Sequence, residues 1–469
     1  MKKNKLTTAV IAGLAGVAGV ASVGNAVHVN PEGTGQVLIY PYYSLHNGLN
    51  TTYSVVNTTP ATKAIKVRFL EGQNSDEVLD FNVYLSEYDV WTGVIGPYTS
   101  SISGHVGEPS GAHASSDNSC APRLNKSLQE FLPYEFDADA PNNNMLRARE
   151  GHFEVIEMGE VTGAHAAWAK HDANGVPAAC ANLTNSWNAG AWALDPSTDM
   201  APATGGLFGA ASVVGVAEGF NVSYDAIALQ DFWVPGTIDH TNPGSTDPNI
   251  NAGSTESIVF NEGIAMSSQW NEGAEAVSAV FMRDEVYNEY NFEANVNGMS
   301  QWVINFPTKH FHVNRPAALQ PFSNVWDGDE ACETFTIDVW DREEQFDTTE
   351  GGISPPPPGG SDPSFCYETN TLEFRAPGSA VGSANVLGTD SVILTSVQGV
   401  SGGTENGWAR INFKGVNNQM LPVIGTPYVG LPVAGFMVQR FTNNNAQAGM
   451  LAQYGGLFNH KGRVNSAIQ

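Results

Sequence analysis

The chain is short of positive charge. It has 21 Lys and Arg against 48 Asp and Glu, a formal charge of −27, while charged residues of both signs make up only 15% of it. The acidity therefore comes from scarce bases rather than abundant acid. Such a balance disfavours nucleic acid and anionic membrane surfaces as partners on electrostatic grounds. Divalent cations and basic partners are permitted but not required. Long apolar runs are missing as well: after residue 23 no stretch of 18 consecutive apolar residues occurs, so the mature chain is expected to lack a transmembrane helix. Cysteine is sparse, at Cys120, Cys180, Cys332 and Cys366, with no C-x-x-C pair and no histidine at zinc spacing nearby, which argues against a zinc site. No Gly-rich phosphate loop, dinucleotide fingerprint or basic aromatic patch is present. No repeat of fixed period appears, which argues against a solenoid or propeller.

What is present begins with an address. Lys2, Lys3 and Lys5 precede a small apolar stretch from Leu6 to Val23, followed by Gly24-Asn25-Ala26. This reads as a secretory signal peptide over residues 1–26, cleaved after Ala26. Its loss removes three lysines and no acid, taking the formal charge from −27 to −30. Export places the protein in the periplasm, on the outer surface or outside the cell. Four cysteines in an exported chain favour two disulfides. Of the three connectivities the local one, Cys120–Cys180 with Cys332–Cys366, is the first choice. Each bridge would close a long loop, contributing on the order of 3–4 kcal/mol.

The strongest fold signal runs from Thr51 to Ile95. Ile65, Val67 and Phe69 alternate with Lys66 and Arg68, and Leu79, Phe81, Val83 and Leu85 repeat the pattern. Such period-2 alternation predicts strands with one face in a core and one in water. Short strands at roughly ten-residue spacing with turn signals between them suggest antiparallel sandwiches. Further strands are expected over 36–43, where Pro41 confines the strand to an edge or to its end, and over 151–161, 301–306, 332–341, 369–375, 391–397, 408–413 and 431–441. Residues 205–219 and 221–229 read as a hairpin. Helices are expected over 274–290 and, shorter, over 127–132. The fold class is therefore mainly β: one or two large antiparallel sandwiches, Ig-like or jelly-roll-like, with long loops and one or two short helices. A boundary near 314–321 divides an N-terminal domain, 27–320, from a C-terminal one, 321–469, whose loop 346–364 carries Pro355 to Pro358 as a stiff extended segment.

Catalytic candidates fail on context. Gly399-Val400-Ser401-Gly402-Gly403 matches G-x-S-x-G, but a strand rather than a helix follows, so it reads as a hairpin turn. His310 and His312 would share a face if their segment is a strand, as would His152 and Glu154; His165 and His171 lie in one loop with Asp172. Each pair is a partial metal site without a third ligand nearby, and hydrogen-bonded or surface histidine is the default. Asp327, Asp329 and Glu330 are weak calcium candidates; the EF-hand spacing is absent, and a solvated acidic loop is the plainer account. Glu154, Glu157, Asp338 and Asp341 fall on predicted strands and are candidate paired acids of a glycosidase. Ten Trp and 14 Tyr can supply a sugar-binding platform or serve as core.

Val67-Arg68-Phe69-Leu70-Glu71-Gly72 through Asp89-Val90-Trp91-Thr92, with Trp302 to Lys309, Asp341-Arg342-Glu343-Glu344 and Tyr454 to Lys461, resembles a family of exported proteobacterial proteins labelled only as cell-surface proteins. The resemblance covers most of the mature chain. It implies location and β architecture, and no catalytic residues. The expected function is a non-catalytic structural or interaction role at the cell surface or in the envelope, with a protein, a cell-surface polymer or a second copy as partner. The alternatives are a secreted carbohydrate-binding protein or glycoside hydrolase, and a calcium-dependent binding protein.

Overall fold

A computed structural model describes residues 26–466 apart from 137–142, 292, 345, 348–362, 376–385, 388–393, 399–405, 416 and 448–449. Residues 1–25 of the expected leader, the four-proline run and the G-x-S-x-G motif lie outside the described residues. The alternating segment folds as read: strand Thr62–Glu71 pairs antiparallel with Glu77–Leu85, setting Val67 opposite Phe81. These strands belong to a sheet ordered His28–Val29, Ile227–Gln230, Val37–Ser44, Glu150–Val161, Thr62–Glu71, Glu77–Leu85. A second sheet runs Phe220–Asp225, Leu207–Gly215, Asn50–Asn57, Val90–Thr99, Pro109–Ala114, Gln129–Glu130. Val67, Phe69 and Phe81 of the first meet Tyr53, Trp91 and Val213 of the second in one core. The protein is thus a mainly antiparallel β-sandwich structure, as the alternation implies.

A second pair of sheets follows the same logic. One runs Phe346–Asp347, Thr336–Asp341, Gly407–Asn412, Glu285–Tyr290, Lys461–Arg463; the other runs Leu394–Gln398, Thr369–Arg375, Met299–Asn305, Ala434–Gln447, Met450–Asn459. Val339, Ile411 and Val286 face Trp302, Ile304 and Phe374 across their core. Val303, Phe436 and Val438 point the other way, into the core of the first sandwich. The strand Met299–Asn305 is therefore apolar on both faces. Among the described residues, strands 285–290 and 299–305 pair only with segments after residue 336, so a division after residue 320 cuts through both sheets of the second sandwich.

Several local expectations are corrected. Strand Val37–Ser44 is interior, flanked by Ile227–Gln230 and Glu150–Val161. Pro41 is accommodated because the register with Glu150–Val161 shifts between Tyr40 and Tyr43, where no ladder donor is needed. The predicted helix over 274–290 stops early: a capping box of Glu272 and Glu275 opens helix Gly273–Phe281, and the chain then turns extended at Met282 and pairs as Glu285–Tyr290. Val286 and Tyr290 earn more burial in the sheet core than a helical stripe would give them. Residues 127–132 hold the short strand Gln129–Glu130 instead of a helix. Conversely, helices Gly163–Ala169, Cys180–Ala189 and Ala191–Leu194 occupy a stretch read as loop.

The largest correction concerns the polar face of the opening strands. Every residue of Thr62–Glu71 is buried, Lys63, Lys66 and Arg68 included. The three helices cover one end of this face, where Ala64 and Tyr84 pack with Leu183, Trp187 and Trp192. The loop over 241–245 covers the middle, its Asn242 and Ser245 carbonyls accepting from Lys66 Nζ.

Candidate functional site

Buried charge must be paired, and the three bases of Thr62–Glu71 meet internal partners, Lys66 and Arg68 on the covered outer face and Lys63 on the side of Ile65 and Leu85. Lys63 Nζ reaches Glu157 Oε1 at 2.8 Å, Glu160 Oε1 at 3.0 Å and Thr204 Oγ1 at 2.6 Å. Lys66 meets Asp80 at 3.0 Å, and Arg68 bridges Glu77 and Glu154. Burial pushes Glu77 up to about 7 despite Arg68, and raises Glu154 and Glu157 against their cationic neighbours. Glu154 and Glu157, taken as candidate paired acids, are therefore internal partners of Arg68 and Lys63. Asp338 lies on a different sandwich, held by Arg410 at 2.7 Å, and Asp341 turns back to accept from the Glu343 N–H at 3.0 Å. The fold does not bring these four carboxylates to one cleft.

The histidine pairs separate. Residues 309–313 are helical, so His310 and His312 diverge. His310 Nδ1 meets Glu368 Oε1 at 2.9 Å, whereas His312 Nε2 meets Ser278 Oγ at 2.8 Å. His171 bonds Ser86 at 3.0 Å. His152 is fully buried with neither ring nitrogen hydrogen-bonded among the described residues, and burial pulls it down to about 4.

His165 joins an array the sequence did not signal. Its Nδ1 meets Asp199 Oδ2 at 2.8 Å and its Nε2 meets Ser186 Oγ at 2.8 Å. This is the connectivity of a Ser–His–Asp nucleophile relay. Access decides against that use. Ser186 and His165 are 4% and 3% exposed, the ring stacks on Trp192 at 4.2 Å, and Ser186 Oγ already accepts from the Trp192 N–H at 3.2 Å. The hydroxyl has no open side for a substrate carbonyl, so the array ties three helical segments together. Only Asp199 reaches the surface, and the His165 hydrogen bond holds it below the usual carboxylate range.

Both disulfides join the pairs expected first: Cys120–Cys180 and Cys332–Cys366. The Glu330 carboxylate lies beside the second bridge, whose sulfurs are consumed in the bond and are not hard donors for calcium. Asp327 Oδ1 accepts from the N–H groups of Asp329 and Glu330, both at 2.9 Å. These hydrogen bonds hold Asp327 below the usual carboxylate range. The calcium candidates thus form a self-bonded turn.

The exposed aromatic face lies elsewhere, on the outer side of the second sandwich. Alternation along Thr336–Asp341 sends Val339 inward and Asp338 and Trp340 outward; along Gly407–Asn412 it sends Ala409 and Ile411 inward and Trp408 and Arg410 outward. Register places Trp340 directly opposite Trp408, with Glu289 beyond it, and Asp338 opposite Arg410, with Tyr287 beyond. The indoles stack at 4.1 Å with an 11° interplanar angle. Arg410 lies 5.4 Å from the Trp340 ring and donates to Asp338 through Nη2 at 2.7 Å and Nε at 3.1 Å. Trp408 is 40% exposed. The result is a ridge of two flat rings edged by a guanidinium, a carboxylate and a phenol. Period-2 alternation assigned those side chains to one face; their meeting across strands 68 residues apart needed the register.

The chain matches no family model, and no curated protein and no solved structure matches it.

Proposed function

We propose that the chain is an exported, non-catalytic scaffold of the cell envelope that binds a cell-surface polymer through the face around Trp340 and Trp408. The observation that carries this reading is the stacked pair itself, two indoles directed away from the core and flanked by Arg410 and Asp338. A sugar ring has an apolar C–H face that packs on indole and a rim of hydroxyls that hydrogen-bond to carboxylate and guanidinium. A glycan polymer offers that chemistry repeatedly. Export is supported by the leader and by two disulfides, which persist in oxidising compartments. No helix among the described residues is long and apolar enough to cross a membrane. The resemblance of Val67–Gly72 and Trp302–Lys309 to exported cell-surface proteins supports the same compartment.

Cross-strand indole stacking also stabilises a sheet, by about 0.5–1.5 kcal/mol, so the test separates binding from stability. Purified residues 27–469 are expected to be retarded in gels containing envelope polysaccharide. Trp408→Ala is expected to lose at least tenfold in affinity while keeping its circular dichroism spectrum and one cooperative melt. Equal retardation of Trp408→Ala and wild type would sink the assignment of the face. Protease shaving of intact cells locates the protein, and complete protection there rules out surface exposure.

A further inference from the structure

A cavity of ≈ 210 Å³ opens where the two sandwiches meet. Pro41 and Tyr224 line it from the first sandwich, and Val286, Phe436 and His460 from the second. Arg283 lines it from the link between helix Gly273–Phe281 and strand Glu285–Tyr290. Apolar side chains such as Val286 and Phe436 share the walls with polar ones such as Asn459 and His460, and junctions between domains are where small-ligand sites concentrate.

Arg283 is out of place in a chain with more than twice as many acids as bases. Arg68, Arg147, Arg315, Arg410, Arg440 and Arg463 each reach a carboxylate. Among the described residues Arg283 reaches none: its Nη1 donates to the Met282 carbonyl at 2.7 Å, and its remaining N–H groups have no hydrogen-bond acceptor. Burial alone acts on it, pulling it below the usual guanidinium range with no anion to raise it. The stem runs over Gly462, where a Cβ would stand 2.9 Å from Arg283 Cδ, so a side chain there would crowd it. His460 brings no charge. Burial pulls it down to about 4, Asn288 donates to its Nδ1 at 3.0 Å, and its Nε2–H donates to the Val303 carbonyl at 2.9 Å. Asp225 and Lys461 also line the cavity, both solvent-exposed, and cancel in formal charge.

A guanidinium with no carboxylate partner, set beside the apolar side chains of Pro41, Val286 and Phe436, is a receptor for one carboxylate on an apolar body. The volume falls below the roughly 300–1,000 Å³ of drug-sized sites, which limits the ligand to a short chain or single ring. We infer that this cavity binds a small apolar monocarboxylate, its carboxylate on Arg283 and its body between Pro41, Val286 and Phe436. The site is independent of the Trp340–Trp408 face, and neither stands or falls with the other.

Titration calorimetry of residues 27–469 with hexanoate is expected to show saturable one-to-one binding. Hexan-1-ol is expected to bind at least tenfold more weakly, as is hexanoate to Arg283→Gln. Because Arg283→Gln can unfold the junction, the wild-type protein supplies a second measurement. The Arg283 Nε–H resonance should shift with hexanoate and stay in place with hexan-1-ol, while that of Arg410 stays in place with both. Absence of saturable hexanoate binding, equal binding of the alcohol, or an unmoved Arg283 resonance would each overturn the inference. So would inorganic phosphate displacing hexanoate at equal affinity, since that marks a general anion site.

Discussion

Lys63, Lys66 and Arg68 show how little a residue's polarity says about its exposure once its surroundings are chosen. The alternation of Lys66 and Arg68 with Ile65 and Val67 is the mark of a half-solvated strand, yet these side chains and that of Lys63 are at most 8% exposed and meet carboxylates of the flanking strands. Buried pairing of this kind adds little or nothing over apolar packing of the same volume, yet removing one partner costs about 3–5 kcal/mol. His152 is the opposite case, a buried ring with no hydrogen bond among the described residues. Its folded form refuses a proton until about pH 4, whereas an unfolded imidazole accepts one near 6.5. The unfolded state therefore binds more protons across that window, and this residue's contribution to stability falls as pH drops from 6.5 to 4. His152→Leu is expected to leave stability at pH 7 unchanged or raised by about 1 kcal/mol, since it removes an unsatisfied polar group. It is also expected to flatten the loss of stability between pH 6.5 and 4, read as guanidinium midpoints. An unaltered pH slope in the variant would show that His152 is not the group responsible.

At the scale of elements, strands were more legible than helices: the start of Gly273–Phe281 was readable, but its end and the helices of 163–194 were not. Thr62–Glu71 and Glu77–Leu85 carry alternation strong enough to fix their inward faces. The segment 163–194 carries little pattern: Gly163–Ala169 and Cys180–Ala189 are rich in small and polar residues, and their helicity depends on packing Leu183, Trp187 and Trp192 over Ala64 and Tyr84. Short helices of this composition gain most of their stability from tertiary contact. The Cys120–Cys180 bond and the Ser186–His165–Asp199 array both anchor this cover. Replacing Cys120 and Cys180 by Ser opens a loop of 60 residues and is expected to cost about 4 kcal/mol. Hydrogen exchange should rise first in 163–194, and exchange that rises uniformly instead would refute the anchoring role.

For the whole molecule, the two sandwiches share a sheet rather than a linker. Val303 enters the first core while Trp302 and Ile304 enter the second, and Thr369 N donates to the Gly72 carbonyl at 2.8 Å. A chain ended after residue 320 is expected to lose amide protection at 285–290 and 299–305, whose partners lie between residues 336 and 463. Retained protection at 299–305 would show that the first 320 residues form a self-sufficient unit. The sequence by itself determined the β class, the inward faces of the strands and the scarcity of bases, because alternation and composition are local properties of the chain. It also favoured the pairing of neighbouring cysteines that the structure contains. Only the tertiary structure decided which faces are covered, which acid meets which base, that Trp340 stacks on Trp408, and that Arg283 faces a cavity without a partner. Those outcomes depend on contacts such as Lys63 to Glu157, 94 residues apart, and no local pattern encodes which distant segment arrives.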